Sequence, residues 1–574
     1  MYQSSMHIIK KVNDFSDFTE REVHYDGDSL IICLAKTSHL KEMSSKNVTS
    51  CDLLIVGAGY QGVCAFEAAA HHLPQGAHVV VIDRNNAWGG MWNNVYDYVR
   101  LHQPYKNFTA GSREWSIGIT KPELYLARKG EILNHFQDIV QASVEEHDLQ
   151  MTYLFSHETN NTFTTINNNT SVQVIATPIN QLLTTTDAAP ITITASRMIN
   201  CIGFDIPFKR SLQLSTSKRI HSLTPAEVLT PNWTRTAHFS QDNKAEIWVI
   251  GSGKTSMDVM YHLAKREPHT ISRIRCIAGR GTWFLNRKDT FPTDSAWEKY
   301  KPSMRTSSDI FFDILEDFNG DNEQEVYLKA ASKGWMHSAI PNPSSFVLGI
   351  CSEEEISVVK NVLSPANEKI IKGYFVDIQD TDSQTGHRAT MILQDLKGKR
   401  YERTVPEGTI IINATDNLSE KSNRHFPVVD ETGLVLSPQT LCGFSGPTAT
   451  LCTHAWYANK INKVWKFLPR LTFNVDTKSQ AGLHLMAMLV LNTGVVLSVI
   501  PKDWQKKWIT NQFTPQNRYP MYRLLFTGLR AKSLFPKLFK HFQNFIPERF
   551  TDDKQFKVKE RSVVGGNAGV LARL

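Results

Sequence analysis

The sequence predicts an α/β fold built on two Rossmann-like units, and three observations predict it. A short apolar run, CDLLIV from Cys51, enters the glycine turn Gly57-Ala58-Gly59-Tyr60-Gln61-Gly62. A second run, EIWVI from Glu246, enters the turn Gly251-Ser252-Gly253-Lys254-Thr255-Ser256. Each turn leads into a stretch of helical periodicity and then into another apolar run, which is the order strand, turn, helix, strand.

Composition sets the frame for these units. Of the 574 residues, 41% are hydrophobic, enough for a large core and two or more domains. Charged residues at 21% and aromatics at 10% describe an ordinary globular enzyme rather than a disordered chain. The formal net charge of +7 suits anionic cofactors or an anionic membrane surface. It is too diffuse for nucleic acid, and no basic arm or nucleic-acid module accompanies it. The eight cysteines, at 33, 51, 64, 201, 276, 351, 442 and 452, form no C-x-x-C pair and no zinc spacing. They read as buried thiols in a reducing compartment, and no metal is expected. The first residues, MYQSSMHIIKKVNDF, lack the apolar run of a secretory signal, so the expected location is cytoplasmic.

Residues 1–50 form an extension with one strand-like run, Leu30 to Leu34. The first unit covers 51–240. Its helix is expected from Val63 to His72, and its second strand from His78 to Ile82, ending on Asp83. Residues 151–200 alternate apolar and polar types around the polar stretch ETNNTFTTINNNTS, which predicts a β-meander with one solvated loop. RMINCIGF then returns to a sheet. The second unit covers 241–400, with SRIRCIAGR as its next strand and an insertion of mixed helix and loop at about 290–365. A hairpin, IIKGYFVDI with ATMILQDL, precedes the buried strand TIIINATDN. Residues 401–465 return to the first unit and make it discontinuous, and 466–574 are helical.

The chemistry of the first turn follows from its glycines. The first permits the tight turn, the second lets backbone approach a pyrophosphate, and the third lets the helix pack against the strand. The helix start then offers free N–H groups, from Tyr60 and Gln61 onward, and a positive dipole end. Asp83 lies 21 residues after Gly62, where a carboxylate reaches a ribose hydroxyl.

In the second turn Ser256 replaces the third glycine and is still small. The strand that follows ends at Gly279-Arg280, with no acid at the ribose position. A guanidinium there favours a 2′-phosphate, hence NADPH over NADH. Lys254 is a further phosphate ligand on this reading. GSGKTS is not a Walker A loop, because Trp248 stands where that loop needs glycine.

Further motifs narrow the reading. Gly89-Gly90-Met91-Trp92 resembles the G-G-x-W that follows the ribose acid in the class B flavoprotein monooxygenases, which include the flavin-containing and Baeyer–Villiger enzymes. Tyr96 to Pro104, YDYVRLHQP, resembles the Y-D-x-x-R-L-H-x-P of the plant auxin-forming members, and Lys121-Pro122 and Tyr125-Leu126 suit the segment after it. The resemblance covers roughly 51–465. It implies FAD on the first unit, held by Gly57, Gly59, Tyr60, Gln61, Gly62, Asp83, Arg84, Gly90 and Trp92. It implies NADPH on the second, held by Gly251, Gly253, Lys254, Thr255, Ser256 and Arg280. It implies His102 as a polar, catalytic group near the flavin, and Asp416 and Ser445 as further cofactor contacts. Two departures stand out. The fingerprint F-x-G-x-x-x-H-x-x-x-[WY] is reduced to His221 within Ser215 to Pro225, and Asp416 replaces the glycine of the late A-T-G.

The activity so implied starts with hydride transfer from NADPH to FAD. Reduced flavin then traps O2 as a C4a-(hydro)peroxide and passes one oxygen to a small or lipophilic organic substrate. The cofactor carries this chemistry and the protein supplies position and dryness. Two alternatives stay open: an NADPH-dependent flavin reductase without oxygenation, and a catalytically weak flavin-binding scaffold. A disulfide reductase would need a cysteine pair where GGMW stands.

Ser479 to Pro501 carries no charged side chain apart from a protonatable His484, its apolar run is weakened by His484, Asn492, Thr493 and Gly494, and KDWQKKW follows. The expectation is a core or homo-oligomer helix. Peripheral membrane contact through 479–550 is the alternative, and a true span the third reading. The substrate pocket is expected between the 290–365 insertion and these C-terminal helices.

Overall fold

The computed structural model describes four short strands between 18 and 36. Beyond them it describes residues 50–160, 162–179, 190–203, 211–216, 220–230, 233, 245–291, 307–380, 388–415, 427–438, 446–461, 481–510, 528–531 and 533–538. The chain divides into two compact units, Met1–Val48 and Thr49–Leu574.

In the smaller unit β1 (Phe18–Glu20) pairs with β4 (Leu34–Lys36), and β2 (His24–Asp26) with β3 (Ser29–Ile31), both antiparallel. The single strand expected at 30–34 is therefore two strands with different partners.

The larger unit starts with β5 (Ser50–Val56), α1 (Tyr60–Ala70) and β6 (His78–Asp83). The helix begins three residues earlier than the apolar spacing suggests, because it starts directly on Gly59. α2 (Lys129–His147) leads to β7 (Gln150–Phe155). β7 was expected in the meander, but it joins β6 in parallel. The meander proper is β8 (His157–Thr159), β9 (Thr164–Ile166) and β10 (Ser171–Pro178), turned by Asn167, Asn168 and Asn169 at positive φ. β11 (Ile191–Asn200) pairs antiparallel with β10 and parallel with β5. The sheet order is β7-β6-β5-β11-β10-β8, a Rossmann-like core with an antiparallel extension.

The second sheet is parallel in the order β12-β22-β13-β14-β18. Its members are β12 (His221–Leu223), β13 (Ile247–Ile250), β14 (Ile274–Ile277), β18 (Ile370–Ile371) and β22 (Ile410–Asn413), with α3 (Lys254–Arg266) after β13. Every residue of β13 is buried, Trp248 among them, which is why it reads as an unbroken apolar run. Two boundaries move relative to the sequence reading. β12 lies in the range assigned to the first unit and β22 in the range assigned to its return, yet both belong to the second sheet.

The insertion contains more β structure than its composition suggests. β15 (Thr282–Asn286), β16 (Met336–His337) and β17 (Ser345–Cys351) form a small sheet. Around it lie α4 (Ser307–Glu316), α5 (Glu323–Ser332) and α6 (Glu353–Val362). β19 (Gly373–Asp380), β20 (Arg388–Asp395) and β21 (Arg400–Pro406) make an antiparallel meander that includes the expected hairpin.

The chain then returns to the first sheet. β23 (Val435–Leu436) pairs in parallel with β11, and α7 (Gly446–Tyr457), buried from Gly446 to Trp456, packs on α1. The first Rossmann-like unit is discontinuous, as expected. Six described cysteines are free and buried, and burial pushes the Cys51 and Cys276 thiols up to about 12.

The apolar C-terminal run is α8 (Ala481–Val499), followed by α9 (Lys502–Ile509). Among the described residues no helix is long and apolar enough to cross a membrane. Leu483, Leu485, Met486, Met488 and Leu491 are buried in the main core. α8 packs on β17, α4 and α7, and a Cβ on Gly482 would stand 2.4 Å from the Phe346 carbonyl oxygen. Burying a leucine this completely implies a loss of about 2–5 kcal/mol for Leu491→Ala. We expect that variant to melt well below the parent by circular dichroism. Equal melting would mean that α8 is not held in the core.

Candidate functional site

The first glycine turn is shaped by close approach. Gly57 at the end of β5 donates its N–H to the Ile82 carbonyl, which fixes the turn against β6. A Cβ on Gly62 would stand 2.0 Å from the Gly57 carbonyl oxygen, so α1 reaches the turn only with glycine there. Gly90 has φ +54°, and a Cβ on it would lie 2.6 Å from the Cα of Gly59. The GGMW segment is thereby pressed onto the second glycine of the turn. Gly59 caps α1 and, as a glycine, supplies no side-chain cap bond of its own.

Around this turn the expected residues take distinct places. The buried Asp83 carboxylate accepts from the Ala58 N–H at 2.6 Å with one oxygen and from the Asn85 N–H at 2.7 Å with the other. It thus ties the turn to β6 and keeps further acceptor positions for a ribose. Arg84 is exposed. Tyr60 stacks on Phe108 at 3.8 Å and donates to the Thr109 carbonyl. Trp92 is buried edge-on to the same ring, at 5.5 Å, and fills core. The Gln61 amide nitrogen is buried and meets no hydrogen-bond partner among the described residues. An uncapped helix start, an unsatisfied donor and a cradle that a side chain would fill suit a pyrophosphate and its ribose.

The second turn is more open. Gly251 ends β13, and Gly253 caps α3 without a side-chain bond. A Cβ on Gly253 would meet nothing within 4 Å. Ser256 is tolerated where the first turn needs glycine because its hydroxyl folds back onto the Gly253 carbonyl at 2.7 Å. The Thr255 hydroxyl bonds to Tyr96. Arg280 is exposed just past the end of β14. These features suit a second dinucleotide held mainly by backbone. Lys254 stands apart: its ammonium pairs with Asp258 and, at 3.0 Å, with Glu355. Sequence reasoning gave it a phosphate, and the fold gives it two carboxylates.

That pair belongs to a part-buried network joining the two turns. Tyr96 donates to Asp258 at 2.7 Å. Glu355 also accepts from Arg287 at 2.7 Å and from the Ser352 N–H at 2.7 Å, within a capping box that starts α6. Arg287 donates to the His102 carbonyl at 2.9 Å, and His102 Nδ1 accepts from the Ile350 N–H at 3.3 Å. So the YDYVRLHQP segment reaches α3 through Tyr96 and the insertion through His102. Burial drives His102 down to about 3, with Lys254 and Arg287 adding to it, so the ring is neutral and is held as a backbone acceptor. It positions β17 rather than serving as an acid at neutral pH. Burial lifts Asp258. Burial also opposes the charge on Glu355, but Lys254 and Arg287 outweigh it and hold the carboxyl at about 2.

Sequence reasoning missed Tyr96, Asp258, Arg287 and Glu355 as a set. Ser352-x-x-Glu355 has the form of a helix-start signature, which names no partner for the carboxylate. Asp416 and Ser445 lie outside the described residues. The fingerprint segment runs beside the second sheet: Ser215 bridges to Gln379, and the His221 N–H donates to the Thr409 carbonyl. An open cleft of about 540 Å³ is lined by insertion residues with Trp283 and Ile370, and none of the described C-terminal helices contributes to it.

No family model matches this chain. It is 24% identical over 290 residues to Rv2000 of Mycobacterium tuberculosis, an uncharacterized protein, across 46% of this chain. The chain spans about half the length of that relative, 47% of it. Among solved structures it is similar to the ornithine N-hydroxylase KtzI of Kutzneria sp. 744, solved with reduced FAD, NADP+ and L-ornithine. There the identity is 10% and the TM-score 0.42, covering 72% of this chain and 99% of that one. It is also similar to cyclohexanone monooxygenase with cyclohexanone bound, at 12% identity and a TM-score of 0.43, covering 85% and 99%.

The network carries a pH signature. Glu355 ordinarily titrates at 4.5 and here at about 2, so the unfolded chain takes up a proton first as pH falls. Its contribution, about 3 kcal/mol, is complete above pH 4.5 and lost on the way to pH 2. Glu355→Gln should melt lower at pH 7 and show a flatter loss of stability across that window. Parallel pH–melting curves for both proteins would contradict the assignment.

Proposed function

We propose that this chain is an FAD- and NADPH-dependent oxidoreductase of the class B monooxygenase type, acting on a small organic substrate with O2. The observation that carries the reading is the pairing of two Rossmann-like units, each with an uncapped helix start at a glycine turn. The YDYVRLHQP segment supports it by bridging the two turns.

On this reading the first turn holds the FAD pyrophosphate at the start of α1, with Gly59 and Gly90 forming the floor and Asp83 meeting a ribose. The second turn holds NADPH at the start of α3, with Arg280 beside the adenosine ribose. When bound, the flavin supplies hydride acceptance and oxygen activation. The protein's part is alignment. Tyr96, Asp258, Lys254, Glu355 and Arg287 fix the start of α3 against the first unit, and so set the distance between the two bound groups. The buried Trp92 and the half-buried Tyr60 and Phe108 keep water from that side of the first turn.

Anaerobic mixing of the FAD-loaded protein with NADPH should bleach the flavin absorbance. Readmitting O2 with a substrate panel should yield an oxygenated product with little peroxide. Bleaching followed only by peroxide would shift the reading to the reductase, and no bleaching by NADPH or NADH would end both.

The open space at Gly253 gives a sharper prediction. Gly253→Val should fold and keep its FAD, while the KM for NADPH in flavin reduction rises at least tenfold. Gly90→Val, by contrast, should lose FAD absorbance. Unchanged reduction kinetics in Gly253→Val would remove the second turn from the site.

A further inference from the structure

One side chain that no motif pointed to stands beside Arg280. β18 runs parallel to β14, with Cys276 level with Ile370 and Ile277 with Ile371. The ladder continues past the strand ends. The Ala278 N–H donates to the Ile371 carbonyl at 2.8 Å and the Gly279 N–H to the Gly373 carbonyl at 3.0 Å. This register brings Tyr374 alongside the Gly279-Arg280 turn. A Cβ on Gly279 would stand 3.7 Å from Tyr374 Cε1, so the ring lies over the bare glycine. The Arg280 Nε donates to the Tyr374 hydroxyl at 3.4 Å. Tyr374 is nonetheless 43% exposed, among the most exposed of the large hydrophobic side chains.

The location gives this pair its meaning. In open α/β sheets ligands bind outside the carboxyl ends of the strands, and the residue after the second strand of a dinucleotide unit meets the adenosine ribose. Tyr374 follows the third strand, one position further along the same edge. An exposed aromatic ring is a stacking surface for a base, and a guanidinium offers two parallel donors to a phosphate. A glycine at 279 lets the ring sit low enough to leave its outer face uncovered.

Resting on the reading of the second turn as an NADPH site, we propose that Tyr374 and Arg280 form a two-part clamp for an adenosine 2′-phosphate. Tyr374 takes the face of the adenine, and Arg280 takes the 2′-phosphate. The Tyr374 hydroxyl steadies the guanidinium from the side. The two residues therefore have separable effects. Tyr374 sets affinity for any adenosine ligand, and Arg280 sets the preference for the phosphorylated ribose.

The test is calorimetric binding of adenosine 2′,5′-bisphosphate, 5′-AMP, NADPH and NADH to the full chain, with circular dichroism as the check on folding. Tyr374→Ala should weaken all four ligands by about tenfold or more, as loss of one base-stacking platform does. Tyr374→Phe should keep most of the affinity for 5′-AMP and NADH. Arg280→Ala should weaken NADPH and the bisphosphate at least tenfold and leave NADH and 5′-AMP unchanged. If the parent binds these ligands and Tyr374→Ala binds them equally well, the clamp is overturned, and Tyr374 only covers Gly279. A loss confined to the 2′-phosphorylated ligands would likewise overturn the stacking role. If the parent binds none of the four, it is the NADPH reading itself that falls.

Discussion

The arrangement of the candidate site depends on a largely sheltered quartet of charges, Lys254, Arg287 and Glu355, all half-buried, with the buried Asp258. Isolated charges are costly away from water, and these are tolerated because each cation meets a carboxylate and the set is neutral. The quartet is also placed where it matters. Lys254 is the first residue of α3 after Gly253, so the backbone that would face a phosphate and the side chain that anchors the helix belong to one residue. Glu355 brings in α6, Arg287 brings in the end of β15, and Tyr96 brings in the first unit. Removing one member would leave its partners charged and largely sheltered, which is why the cost falls on geometry as well as stability.

Much of the two glycine turns was legible because turn sterics are local. Gly62 sits five residues after Gly57 and would strike its carbonyl oxygen on gaining a side chain, so this part of the motif reports its own conformation. The strand after each turn was legible for a similar reason, since buried parallel strands are continuous apolar runs. The quartet was not legible. Lys254 and Glu355 are 101 residues apart, and nothing in the spacing of either chooses the other. Lys254 in GSGKTS looked like a phosphate ligand because composition reveals a charge and not its partner. His102 was singled out by its motif, but its role depends on β17, a strand hidden in what read as mixed helix and loop.

The C-terminal region shows a different limit. An apolar run of about 20 residues satisfies a bilayer and a large core equally, so hydropathy alone could not choose. What separates the two is the partner surface. α8 lies close on β17 through Gly482, and its Leu483, Leu485, Met486, Met488 and Leu491 are buried. The basic segment that follows is also used internally. Arg530 pairs with Asp313 and with Glu316 at 2.9 Å and donates to the Asp309 carbonyl, all on α4, and Leu534, Phe535 and Leu538 are buried. Among the described residues of this segment, Arg530, which suited an anionic surface, thus finds its acids within the chain.

The two turns differ in a way that bears on the proposed chemistry. The first is closed: Gly59 and Gly90 touch backbone to backbone, and Gly62 admits no side chain. The second is open: Gly253 faces free space, and Ser256 fits by bonding to its own turn. A group that stays through many cycles is best held by a turn that other segments close over. A group that must enter and leave each cycle needs a turn that remains accessible, with affinity supplied from the rim. Arg280 and Tyr374 stand at that rim, and the quartet keeps the open turn in register with the closed one. Resident FAD and exchanging NADPH would divide between the two turns along this steric line.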